Sequence, residues 1–153
     1  KKIFVTDWIL IIAFMLSTLS GIGLHIVGYG NNHELWHNWA VSHVLTSFLF
    51  FITVISHLST HWGWYKGLIR KGIGKKSKVT VMLSIAFCLC LVTGVALLGV
   101  NGANSAMGLW HYRIGIVMAA LSMGHIQNVL HYYVNRKRLL NYILCIRFFI
   151  EVH

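Results

Sequence analysis

Long apolar runs leave this chain few folds to choose from. Ile3 to Val27, Leu45 to Leu58 with its less apolar flanks, and Val79 to Val100 each match the roughly 20 residues of helix that cross a hydrocarbon core. A fourth run, Met107 to about Val134, is interrupted by His and Arg but keeps a helical apolar pattern. Hydrophobic residues make up 57% of the 153 positions and charged residues only 10%, a composition far from that of a soluble domain. The chain contains no proline, and glycines gather at the run ends and in the turns "GYGNN" and "GVNGANS", where the backbone must reverse. The expected fold is all-α: a transmembrane four-helix bundle forming one domain over 1–138, followed by a short interfacial segment over 139–153. The first run has no small-residue cleavage site and is too long for a signal-peptide core, so it reads as a retained span.

The net charge of +10 would suit nucleic acid if it were spread over one face, but its placement points to lipid. Lys1 and Lys2 precede the first span. Lys66, Arg70, Lys71, Lys75, Lys76 and Lys78 lie between the second and third, and Arg136, Lys137 and Arg138 follow the fourth. Under the positive-inside rule both termini and the basic middle loop are cytoplasmic, while the turns at Asn31 and Asn104 face outward. Arg113 alone breaks the pattern. Cys88, Cys90 and Cys145 have neither disulfide nor Cys-x-x-Cys-His spacing and read as small apolar residues.

Ionisable side chains inside a membrane are costly and mark function by default. His43 and His57 in the second span are fourteen residues apart, as are His111 and His125 in the fourth. Fourteen helical residues return to within about 40° of the starting direction and rise roughly 21 Å. The second and fourth spans run parallel, so His43 is level with His111 and His57 with His125. Two imidazole pairs facing each other across a bundle core suit axial ligation of two haem irons, whereas zinc would want four close ligands. Gly115, Gly124, Ala40, Ser47, Gly21, Gly23 and Gly94 leave gaps for a flat guest, and they equally suit close helix packing without one.

The remaining candidates are looser. Arg113 follows His111 by two residues and offers a planar fork to a haem propionate, or snorkels at the outer interface. His61, eighteen residues after His43, shares the ligand face and competes with His57. His25, near His33 and His37, fits a quinone pocket, a metal site, a propionate network or a polar membrane boundary. His37 and His131 lie about 240° off the ligand faces. "HELWH", His33 to His37, matches a zinc-protease signature, but it opens a helix at headgroup level and lacks a third ligand, since the chain has three acidic residues. A metal held by His25, His33 and His37 remains open, and peptidase activity is not expected. "LWH" recurs at Leu35–His37 and Leu109–His111; read as a duplication, it would make His37 the equivalent of His111.

"SHVLTSFLFFITVISHLSTHWGWYKG" in the second span, and "WHYRIGIVMAALSMGH" in the fourth with "TG" upstream, resemble the small four-helix flavinylation-associated cytochromes of bacterial membranes. More distantly, the paired fourteen-residue spacings resemble cytochrome b of quinol-oxidising complexes. The resemblance spans roughly Leu19 to His131. It implies two noncovalent b-type haems with His43, His57, His111 and His125 as axial ligands, and electron transfer across the inner membrane beside a periplasmic flavin- or cytochrome-containing protein. His25, His33, His37 and His131 depart from the family pattern.

The leading expectation is therefore a dihaem b-type cytochrome, multi-pass in a bacterial inner membrane, relaying electrons to an outer-face redox partner. A quinone is a possible second cofactor, and a homodimer or a subunit of a larger complex is compatible with it. Two other classes compete: a metal or haem transporter or sensor using the outer-rim histidines, and a structural anchor without haem.

Overall fold

The computed structural model describes the backbone of residues 2–30, 32–72, 74, 77–99 and 105–151, with side chains described in that set except at 2–4, 71, 132–133 and 136–151. Lys1, Asn31, Lys75, Lys76, Asn104 and His153 lie outside the described residues, as do the side chains of Lys2, Lys71, Arg136, Lys137, Arg138 and Cys145. Five helices account for nearly all of the described chain: α1 (Lys2–Val27), α2 (His33–Thr60), α3 (Trp62–Lys71), α4 (Lys78–Leu97) and α5 (Ala106–Glu151). Four of them, α1, α2, α4 and α5, are long and apolar enough to cross a membrane. The chain is a multi-pass helical bundle.

Local chemistry sets the helix ends. Asn32 caps α2 by accepting a hydrogen bond from the Leu35 N–H at 3.0 Å, and Ser105 does the same for Gly108 at 3.1 Å before α5. His61 separates α2 from α3: its backbone leaves helical values (φ −102°, ψ 14°), although its N–H still donates to the His57 carbonyl. Gly72 ends α3 with φ +77°, a left-handed value that a side chain disfavours.

Two features were not read from the sequence. The stretch after His61 folds as a separate amphipathic helix, α3, tied to the third span by the Tyr65 and Ser84 hydroxyls at 3.2 Å. In addition, α5 continues through 139–151 without a break at residue 138, reaching 46 residues, about 69 Å at 1.5 Å per residue.

The helices pack as two hairpins. α1 lies along α2, and α4 along α5, each pair in extended contact; between the hairpins the backbone seam is slight and runs through α1 and α5. The α1–α2 seam is zipped by hydroxyls, with Ser17 to Ser47 and Ser20 to Thr46 both at 2.9 Å. Small residues sit deepest, Ala13 on α1 and Ala86 on α4, while Ile12, Leu19, Leu45, Phe48, Val92 and Val117 point outward, as lipid-facing positions should. Phe50 of α2 meets Phe14 of α1 within the first hairpin (ring centres 5.6 Å) and reaches across to Phe87 of α4 (5.9 Å), on which Phe51 also stacks at 6.4 Å. This aromatic layer lies halfway between the two histidine levels.

Candidate functional site: two imidazole levels between the hairpins

His43 and His111 face each other across the bundle, with ring centres 6.1 Å apart and planes at 70°. Each ring lies against a glycine of its hairpin partner. A Cβ on Gly21 would come within 2.9 Å of the His43 ring, and one on Gly94 within 3.1 Å of the His111 ring. Only glycine leaves the rings where they are.

The hydrogen bonds fix how each imidazole is presented. His43 donates from Nδ1 to the Ser17 carbonyl at 3.1 Å, with the Ser20 hydroxyl at 3.2 Å. For His111, Nδ1 lies 2.9 Å from the Thr93 hydroxyl, whose own proton is directed to the Leu89 and Cys90 carbonyls, so Thr93 accepts. At the inner level, His57 donates from Nδ1 to the Asp7 carboxylate at 2.9 Å, and His125 Nδ1 lies 3.2 Å from the Thr80 hydroxyl. All four Nδ1 atoms are thus held by an oxygen on the neighbouring helix. A neutral imidazole whose Nδ1 carries the proton keeps its Nε2 lone pair for a metal, and such an anchored second nitrogen accompanies most metal-binding histidines.

These anchors reveal a repeat. Asp7, Ala13, Phe14, Ser17, Ser20 and Gly21 of α1 correspond to Thr80, Ala86, Phe87, Cys90, Thr93 and Gly94 of α4, each 73 residues on. On the ligand-bearing helices the offset is 68, taking His43 to His111 and His57 to His125. The "LWH" echo has an offset of 74 and pairs His37 with His111, but the structure gives His111's surroundings to His43 instead. The signal that would have found the anchors is the match of "AFMLSTLSG" (13–21) to "AFCLCLVTG" (86–94).

The inner level is the more crowded. The His61 ring centre is 4.6 Å from that of His57, and His125 lies within electrostatic range of His57, His61 and Asp7. Asp7, His57 and His61 form a three-residue cluster able to hold a metal ion, their donor atoms within 4.8 Å of one another.

Other sequence candidates fall elsewhere. Arg113 is exposed and lies over the Trp110 ring at 5.7 Å, away from the His pair. His25 of α1 stacks on Tyr112 of α5 at 3.7 Å, so it closes the outer end of the seam between the hairpins. His33, Glu34 and His37 are exposed on the first turns of α2, and His131 is exposed beside Asn135. Among the described residues, His25, His33 and His37 do not form a three-ligand cluster.

The outer pair has the spacing that two imidazoles on one haem iron would need. An imidazole–metal bond of about 2.0–2.1 Å puts the ring centre about 3 Å from the metal, so two axial imidazoles have centres about 6 Å apart. The 6.1 Å between His43 and His111 agrees with this. Comparison with protein-family models, with curated proteins and with solved structures returned no match.

Proposed function

We propose that the chain is a dihaem b-type cytochrome of a bacterial inner membrane that relays electrons between its two faces. His43 and His111 hold the outer haem iron, and His57 and His125 the inner. The observation that supports this reading best is the fourfold anchoring of Nδ1, joined to the 6.1 Å spacing of the outer pair. When bound, haem supplies a one-electron iron couple at each level. The chain orients the four imidazoles, and with haem bound one from each side would keep water and oxygen from the iron. The Phe14, Phe50, Phe51 and Phe87 rings keep the space between the levels dry and packed. Fourteen helical residues set the levels about 21 Å apart, a span suited to a transmembrane relay.

On this reading the quinone pool supplies electrons, and an outer-face flavin- or cytochrome-containing protein receives them. The test is a reduced-minus-oxidised visible spectrum with pyridine haemochrome quantitation on the purified protein. Two b haems per chain are expected. A haem-free protein loaded with zinc or copper would overturn the reading and favour a metal-handling membrane protein, for which Asp7, His57 and His61 are the described ligand cluster.

A further inference from the structure

The repeat that relates the hairpins is broken at one anchoring position. His43, His111 and His125 have neutral oxygens at Nδ1: the Ser17 carbonyl with the Ser20 hydroxyl, the Thr93 hydroxyl and the Thr80 hydroxyl. His57 alone has a carboxylate, that of Asp7, at the place where α4 carries Thr80. Of the chain's other two acidic residues, Glu34 lies on the first turn of α2 at the opposite end of the bundle and Glu151 ends α5.

A hydrogen bond to a carboxylate is charge-assisted, and it makes the donating imidazole a more basic ligand than one bonded to a hydroxyl or carbonyl. A more basic ligand beside a fixed negative charge favours the ferric over the ferrous iron. The described cations at this end, Lys66 and Arg70 on α3 and Lys78 at the first residue of α4, are all exposed, where water and salt screen them within about 8 Å.

We infer that Asp7 is the residue that makes the two centres unequal: through His57 it lowers the reduction potential of the inner centre and leaves the outer one unchanged. This rests on the dihaem reading above. With the inner centre as the better reductant, an electron taken from a quinol on the cytoplasmic side runs downhill to the outer centre and on to a one-electron acceptor outside. With haem bound at both levels, each quinol would give up two electrons and two protons, the electrons passing singly from the inner to the outer centre. Asp7 is a positioning residue, since it touches the ligand and not the iron.

The test is an optical redox titration of wild type, Asp7→Asn, Asp7→Glu and Thr80→Asp at one pH, with haem counted in each preparation and the outer wave assigned by its loss in His111→Ala. Asp7→Asn keeps the shape and a hydrogen-bond acceptor but loses the charge. It should raise the lower, inner potential by about a tenfold change in the reduction equilibrium, about 59 mV for one electron, while the outer wave stays put and Asp7→Glu restores the low value. Thr80→Asp places a second carboxylate on His125 and should lower the inner potential further. If Asp7→Asn sheds its inner haem, Thr80→Asp decides: a lowered inner wave supports the inference and an unmoved one overturns it. Two haems with an inner wave unmoved by Asp7→Asn overturn the inference and leave the dihaem reading standing, whereas a haem-free wild type removes both.

Discussion

The outer and inner histidine levels are built from the same parts and finished differently. At the outer level the hairpins match closely: each ring rests on a glycine, and each Nδ1 on an oxygen of the helix beside it. At the inner level Asp7 stands opposite Thr80, and His61 adds a third imidazole. Matched surroundings give two imidazoles of similar presentation, and the mismatch below gives the two levels different local charge. The outer level is the better place to test whether haem binds, and the inner one to test what tunes it.

The largest effect expected is the loss of a whole centre. His43→Ala and His111→Ala should each halve the haem content from two per chain to one, read by pyridine haemochrome, with identical residual spectra because both leave the inner centre. At the inner level the same measurement separates the rivals: His57→Ala should lose one haem while His61→Ala keeps two. The reverse result would make His61 the inner ligand and reassign the Asp7 contact to a residue beside the site.

A smaller effect is expected from crowding the rings. Gly21→Ala puts a Cβ 2.9 Å from the His43 ring, and Gly94→Ala puts one 3.1 Å from that of His111. Partial outer-haem loss should therefore be greater for Gly21→Ala, with the inner haem retained in both. Gly115→Ala, where an added Cβ meets nothing within 4 Å, is the control that should change nothing.

Smallest of all should be the removal of single hydroxyls. A net hydrogen bond is worth about 0.5–1.5 kcal/mol, and His43 keeps the Ser17 carbonyl when Ser20 is lost. Ser20→Ala should thus lower the thermal stability of the haem-loaded protein only modestly, and Thr93→Val, which removes the oxygen at His111 Nδ1, by more. Equal shifts would show that the Ser20 hydroxyl matters to His43 as much as Thr93 does to His111.

Much of this was legible in the sequence, for physical reasons that vary by element. The four spans were readable because apolar length is a direct demand of the bilayer, and the start of α2 at His33 follows from the capping Asn32. The fourteen-residue spacings placed His43 level with His111 because helical rise is fixed. The anchors were not read: a serine or threonine in an apolar helix looks like any other small polar residue until its partner is known. The repeat was masked because its two helices are offset by 73 and 68, so no single period aligns both. α3 was hidden among the flanking and basic residues of a loop, and the continuation of α5 was hidden by "NRKR", charges that look like a boundary but are good helix formers.

The slight seam between the hairpins has a consequence for how the molecule comes together. Each hairpin has its own long interface, but each supplies only half of the imidazoles at either level. On the proposed reading, cofactor insertion and docking of the hairpins are one event, because bridging a His43–His111 pair joins α2 to α5 where backbone packing is thin. The haem would then serve as a clasp as well as a carrier, and the halves of a chain cut in the loop between α3 and α4 should copurify only when it is present.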